Sequence, residues 1–480
     1  MTAMFLDRPA FPFRSRIAWA TSLSVLLCSC ALTPHTPAEP ATAPAAFKEA
    51  GAWQRAATQA PVPDAWWTLF QDPVLNDLES RLVVGNQNLR ALVAQVANAR
   101  ATLDASRSAM FPTLSAGFSA ARSGNPQNSS NNGNIATQST SNSFSLSANA
   151  NWELDLWGRL SQATTGAQAQ LQASVDDLAA ARLSAQALLA QTYFSLRSAD
   201  AQYALLERSV QAYQRSLDLT QLRYNAGVVA RSDVLQAQTQ LKSAQAQMLE
   251  SATQRAQLEH AIAVLLGIAP SELTLARNAV LPVPPAVPEL LPATLLERRP
   301  DIAAAQRRVA VAYAQIGVTE AAFYPSLNLS ATAGLRNSAL ANLISAPNLF
   351  WSLGSSLAQA IFDGGQRKLA NAQARNNAEQ ATASYRQTVL TALQEVEDNL
   401  VLAVQLRREA QLQDEALQAA RRNLEIVLDQ YRAGIVSFLN VVIAQTAVLN
   451  SESSLLSVRN RQLAAVNQLL KNIAGHWEAA

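Results

Sequence analysis

The sequence predicts a mainly α-helical chain that also places a small β-sheet in a membrane. Three features of its 480 residues lead there. Two long segments are almost free of helix breakers: no Gly or Pro lies between Gly365 and Gly434, and only Gly166 lies between Gly158 and Gly227. Four shorter segments alternate apolar and polar residues with the two-residue period of a strand. The same order of features then appears twice along the chain, as in a duplicated protein.

The balance of charge, 37 basic against 35 acidic residues, argues against a nucleic-acid partner. Charged residues make up 15%, below the roughly 25% of ordinary soluble domains. His35, His260, His476, Cys28 and Cys30 are scattered or N-terminal, so neither a zinc cage nor a disulfide framework is expected, and no residue is assigned to a metal. His260 and His476 read as surface or satisfied helix residues. No Ser/His/Asp set, paired carboxylates or phosphate-cradling Gly loop stands out, so no enzyme is expected.

Arg8, Arg14 and Arg16 precede the apolar run Ile17 to Leu27, which is too short for the ~20 residues that cross a bilayer as a helix. Nothing downstream reads as apolar enough to do so. Residues 1–29 are therefore expected to be an export signal. Leu27 and Ser29 before Cys30 resemble the bacterial lipobox, which implies covalent diacylglycerol and an N-acyl chain on Cys30 and no other cofactor. Ala31 after it implies sorting to the outer membrane. The Pro/Ala-rich stretch within 30–63 reads as a tether.

Two repeats follow, 64–291 and 292–480. Tyr224-Asn225-Ala226-Gly227-Val228-Val229 matches Tyr431-Arg432-Ala433-Gly434-Ile435-Val436, and Ala237-Gln238-Thr239 matches Ala444-Gln445-Thr446 at the same offset. Each repeat reads helix, strand, loop, strand, very long helix, tight turn, long helix. The long helices approach 100 Å at about 1.5 Å per residue. They carry apolar seams at 3-4 spacing (Val389, Leu393, Val396, Leu400; Leu206, Val210, Tyr213, Leu217), as in packed, supercoiled helices.

Strands are expected at about 111–123, 142–156, 325–336 and 349–362. Phe144, Leu146, Ala148, Ala150, Trp152 and Leu154 alternate without error with Ser and Asn. The other three segments follow, the last less regularly because Ser355 and Gln359 interrupt Trp351, Leu353, Leu357 and Ile361. Strands of about 12 residues tilted by ~45° span roughly 28 Å, close to the ~25 Å apolar band of a membrane barrel. Phe111, Phe323 and Tyr324 enter these strands and Trp157 and Phe362 leave them, so all five are expected in one aromatic girdle at the membrane interface. Four strands cannot close a barrel, and an open edge in lipid costs several kcal/mol for each unpaired backbone group. A trimer would give twelve strands and begin to enclose water.

The residues at this point match a known family. Asp64-Ala65-Trp66-Trp67-Thr68-Leu69-Phe70-Gln71-Asp72-Pro73-Val74-Leu75 resembles the opening of outer-membrane efflux lipoproteins of the TolC/OprM-like (NodT) family. Arg299-Pro300-Asp301-Ile302, Ile316-Gly317 and Tyr324-Pro325 resemble the start of its second repeat. Leu154-Asp155-Leu156-Trp157-Gly158-Arg159 and Phe362-Asp363-Gly364-Gly365 resemble its strand-to-helix corners.

The resemblance implies a homotrimer with a twelve-stranded β-barrel in the outer membrane and a long α-helical barrel in the periplasm. The implied partners are a periplasmic membrane-fusion adaptor, an inner-membrane pump of the resistance-nodulation-division (RND) class and outer-membrane lipid. The function expected is a conduit for small toxic molecules; a duct for type I protein secretion and a non-conducting coiled-coil spacer are the alternatives.

By the same resemblance the two helical turns form the periplasmic gate and docking site, with Arg223, Tyr224, Gly227, Val228, Ser232 and Asp233 in one and Tyr431, Arg432, Gly434, Ile435 and Asn440 in the other. The stretch from Arg432 to Asn450 has no carboxylate, so closure is expected to use Arg432, Tyr431 and Asp233 rather than an acidic ring.

Overall fold

The computed structural model describes residues 65–124, 140–285 and 299–473. The signal and tether readings, Cys30, the loop tip at 125–139 and His476 fall outside these residues.

The chain is mostly helical with one small antiparallel sheet. In order, the elements are α1 (Pro73–Gly85), α2 (Gln87–Ser108), β1 (Thr113–Gly124), β2 (Thr140–Leu154), α3 (Arg159–Asn225) and α4 (Arg231–Leu266), then α5 (Pro300–Ala321), β3 (Ser326–Asn337), β4 (Leu349–Ala358), α6 (Gln366–Arg432) and α7 (Phe438–Ile473). Most corresponding elements of the two halves are equally long: 22 residues for α2 and α5, 12 for β1 and β3, 67 for α3 and α6, and 36 for α4 and α7, whereas β2 has 15 and β4 has 10. The chain divides into two compact units.

The first unit comprises Ala97–Gln172 and Gln306–Ala383. Its four strands pair in the order β1-β2-β3-β4, so β1 and β4 are free edges. At the helix side all four strands stop short of their predicted ends for backbone reasons, while at the loop side β1, β2 and β3 run one or two residues past them. Pro112 and Pro325 have no N–H to donate, so β1 and β3 begin just after them. Ala358 pairs with Ser326, the first residue of β3, which leaves Gln359 to Phe362 no partner.

At each corner an aspartate caps the following helix. Asp155 accepts from the N–H groups of Leu160 (3.0 Å) and Ser161 (2.7 Å), and Asp363 from those of Gly365 (3.0 Å) and Arg367 (3.2 Å). The Arg367 guanidinium, bonded to Asp363 at 2.6 Å, holds its carboxyl below the usual carboxylate range. Helices α3 and α5 touch at Gly317, where an added Cβ would stand 2.9 Å from the Gln162 side chain.

The second unit falls within Pro40–Val96, Ala173–Ala305 and Ser384–Ala480. Its core joins Trp66, Phe70, Leu75, Leu78 and Leu82 to Leu189, Tyr193 and Phe194 of α3, Ile262 and Leu266 of α4, Val396 of α6 and Leu469 and Leu470 of α7. The Trp-Trp segment is thus a core anchor. Asp72 caps α1 by accepting from Val74 N (2.9 Å), while its second oxygen accepts from the Tyr193 hydroxyl (2.8 Å).

Contrary to the sequence reading, α7 is long and apolar enough to cross a membrane by length and composition, an 18-residue window within it having a mean hydropathy of 1.2. About 33% of that window is buried, and near the C-terminal end of α7 Leu463, Val466, Leu469 and Leu470 join this core.

Chain direction after α4 is fixed by a buried ionic cluster. Arg255 pairs with Asp200 (2.9 Å) and Glu259 (2.6 Å) and donates to the Leu275 carbonyl (2.5 Å). Asp200 and Glu259 accept in turn from the N–H groups of Asn278 (3.0 Å) and Leu275 (2.6 Å). The second half of the chain starts on a comparable clamp, in which Arg299 holds Asp301 (2.6 Å), Glu395 (3.0 Å) and Asn472 (3.2 Å).

Glu79 is fully buried in α1, and neither carboxylate oxygen has a hydrogen-bond partner among the described residues. Burial pushes its carboxyl up to about 9. The unfolded chain therefore ionises near 4.5 while the folded chain stays protonated, so this site costs stability as pH rises through that window. Glu79→Met is expected to raise stability by about 2–3 kcal/mol near neutral pH and by much less toward pH ~4.5. Melting curves at the two pH values check this; an equal shift at both would remove ionisation as the cause.

Candidate functional site

Most cross-strand pairs in the sheet keep apolar opposite apolar along one face, the exceptions being Arg122 with Asn142, Gly124 with Thr140, Phe144 with Asn337 and Leu329 with Ser355. Leu114, Ala116 and Phe118 of β1 face Ala150, Ala148 and Leu146 of β2. Trp152, Ala150 and Ala148 face Leu329, Ala331 and Ala333 of β3, and Ala331 and Ala333 face Leu353 and Trp351 of β4.

This face is not covered: Leu114 is 79% exposed, Trp351 71% and Leu353 75%. The opposite face carries hydroxyls and amides that bond across strands, as in Ser119 to Ser145 (2.7 Å) and Thr332 to Asn149 (3.0 Å). A sheet greasy on one exposed face and wet on the other suits a wall between lipid and water.

All five predicted girdle aromatics lie at the helix-side end of this sheet. Trp157 is half-buried, stacks on Tyr324 at 4.9 Å and donates to the Pro325 carbonyl (2.6 Å). Phe323 lies 5.6 Å from the Arg367 guanidinium. Phe111 and Phe362 are exposed outside the paired segments.

The second unit holds both helical turns, built alike. In the first, Gly227 has φ +73, its N–H donates to Tyr224 O and the Val228 N–H donates to Arg223 O (both 2.9 Å). In the second, Gly434 has φ +76 and the Ile435 N–H donates to Gln430 O (2.9 Å). These are left-handed C-caps that glycine adopts without a Cβ penalty.

Their side chains differ. Tyr224 is exposed, whereas Tyr431 is 3% exposed and packs edge-on to Phe438 at 5.5 Å. Arg223 bridges the turns: its guanidinium donates to the Tyr431 carbonyl (2.6 Å) and lies 4.6 Å from that ring's centroid.

The grouping expected for closure does not form within one chain. Arg432 is exposed and bonds Asp429 one turn back on α6 (2.9 Å), because a helix-end side chain meets its i−3 neighbour first. Asp233 contacts Ser232 (3.5 Å) and Asn440 contacts Ser437 (3.2 Å). Asp429 is the acidic residue at the second turn that a search from Arg432 onward misses. Val228 and Ile435 project from the two turns, 61% and 73% exposed.

A family profile described as outer membrane efflux protein matches residues 78–268 and 291–475. An antibiotic efflux pump outer membrane protein, ArpC of Pseudomonas putida, is 29% identical over 456 residues, covering 94% of both chains. A toluene efflux pump outer membrane protein, TtgF of the same species, is 30% identical over 466 residues, covering 95% of this chain and 96% of its own. Among solved structures, the outer-membrane channel OprN has a TM-score of 0.86 at 29% identity, with 93% of this chain and all of that one covered. The two-faced sheet, the double match and these relatives agree: the chain belongs to the outer membrane efflux protein family and is an outer-membrane channel protein.

Proposed function

We propose that three copies close their sheets into one twelve-stranded barrel and form the outer-membrane duct of a tripartite efflux pump. The observation that carries this reading is the uncovered apolar face between two free edges, β1 and β4. In lipid those edges require partners, and joining β4 of one copy to β1 of the next supplies them. Twelve strands leave room for water inside, where eight would be filled by side chains. The five aromatics would then mark the periplasmic interface, and an acylated Cys30 would add a lipid anchor. The test is the mass of the detergent-purified protein together with its conductance in a planar bilayer. A monomer without conductance steps would sink the reading.

The duct would connect to a periplasmic adaptor and an inner-membrane RND pump, with the exposed Val228 and Ile435 offering apolar contacts to the adaptor. Its solutes would be small toxic compounds, by analogy with relatives named for antibiotic and toluene efflux. Deleting the gene should sensitise the cell to such compounds.

At the turns, Arg223 would be the closing residue, because it ties the first turn to the second through Tyr431. Arg223→Ala removes a charge-assisted hydrogen bond and a cation–π contact, about 2 kcal/mol together. Single-channel recordings should show a severalfold higher open fraction for Arg223→Ala and little change for Arg432→Ala. Equal effects of the two would return the gate to Arg432.

A further inference from the structure

We infer that Arg336 and Phe350 form a recognition site for planar anionic solutes at the outer end of the lumen; this rests on the barrel reading above. Between Thr113 and Trp152 the only charged residue is Arg122, and between Ser326 and Phe362 it is Arg336. Apart from Glu153 at the helix-side end of β2, the strands and their outer loops thus contain two arginines and no carboxylate, so nothing near the outer end neutralises a guanidinium.

The strand register separates the two arginines. Arg336 pairs with Ser145, whose hydroxyl bonds Ser119, and so lies on the wet face. Arg122 pairs with Asn142, in step with Ala120 and Phe144, and so lies on the greasy face. The other charge on the wet face is Glu153, paired with Asn328 at the helix-side end and bound by Arg159 at 2.8 Å. Eight residues of β3 place it roughly 26 Å from Arg336.

Phe350 interrupts an otherwise small and polar face. It pairs with Gly334, two residues before Arg336, and the Arg336 guanidinium carbon lies 5.0 Å from its ring centroid. An aromatic at that diagonal position holds the side chain in place. What remains is an exposed, pre-oriented fork of N–H donors beside a flat ring, suited to carboxylates carried on aromatic rings. Closure of the barrel would bring one such pair from each copy to the same level, so charge adds where solutes leave.

Block of single-channel current by mellitate, a planar benzene polycarboxylate, tests this in the purified, reconstituted protein. Wild type should be blocked, with sensitivity falling as salt rises. Arg336→Gln should need about tenfold more mellitate and Arg336→Lys about threefold more, because an ammonium keeps the charge but loses the flat fork. Arg122→Gln, on the other face, should match wild type. Equal sensitivity of wild type and Arg336→Gln, or a loss that follows Arg122 instead, overturns the site. Failure of wild type to give conductance steps overturns the pore reading itself.

Discussion

Gly85→Ala should destabilise the helical unit severely for a change of one methyl group. Gly85 ends α1 against the end of α4, and a Cβ there would overlap the carbonyl oxygen of Leu266. The contact is backbone to backbone, so no side chain can swing aside. Asn86 bonds the neighbouring Leu265 carbonyl at 2.7 Å and locks the approach further. The reciprocal glycine is equally confined: Gly267 has φ +73, and its added Cβ would overlap the Gly85 carbonyl.

Relief requires separating α1 from α4 beside the core around Leu82 and Leu266. A loss of about 4 kcal/mol or more is expected, at the severe end of single substitutions. Gly117→Ala in β1, where an added Cβ meets nothing within 4 Å, should stay near wild type. Denaturant midpoints of the three proteins check this, and similar midpoints for Gly85→Ala and Gly117→Ala would refute it.

Arg255→Met is the second large effect. The guanidinium stands between Asp200 and Glu259, whose side chains are 1% and 15% exposed. Removing it leaves two carboxylates in a poorly hydrated site and leaves the Leu275 carbonyl without its donor. Breaking a buried pair from one side typically costs about 3–5 kcal/mol. Because Leu275 and Asn278 are tied to the same acids, the segment after α4 should loosen first, seen as faster amide exchange around those residues than in α7. Uniform acceleration throughout the unit would instead mean simple global destabilisation.

The strands and long helices were legible because each obeys a single local period for many residues. The ends of the strands were less so. Apolar residues recur as far as Ile361, with Ser355 and Gln359 interrupting, but pairing depends on whether a neighbour exists, and β3 starts only after Pro325. The turn glycines were legible because a left-handed cap needs one there. The roles of the turn side chains were not. Tyr224 and Tyr431 occupy matching places in the repeat, yet one is exposed and the other is core, a difference set by Phe438 and by Arg223 reaching across from the other half. Glu79 and the Asp200–Arg255 pair were invisible for the same reason: their partners, or lack of them, are set by tertiary contacts.

The free edges of the sheet have a consequence for inheritance. Any ring made by joining β4 to the next copy's β1 uses two different surfaces, so every subunit must supply both. A chain with a sound β1 edge and a spoiled β4 edge would still be recruited, and would then leave its ring unsealed. Such an allele should act as a dominant negative, poisoning assemblies in a cell that also carries an intact copy.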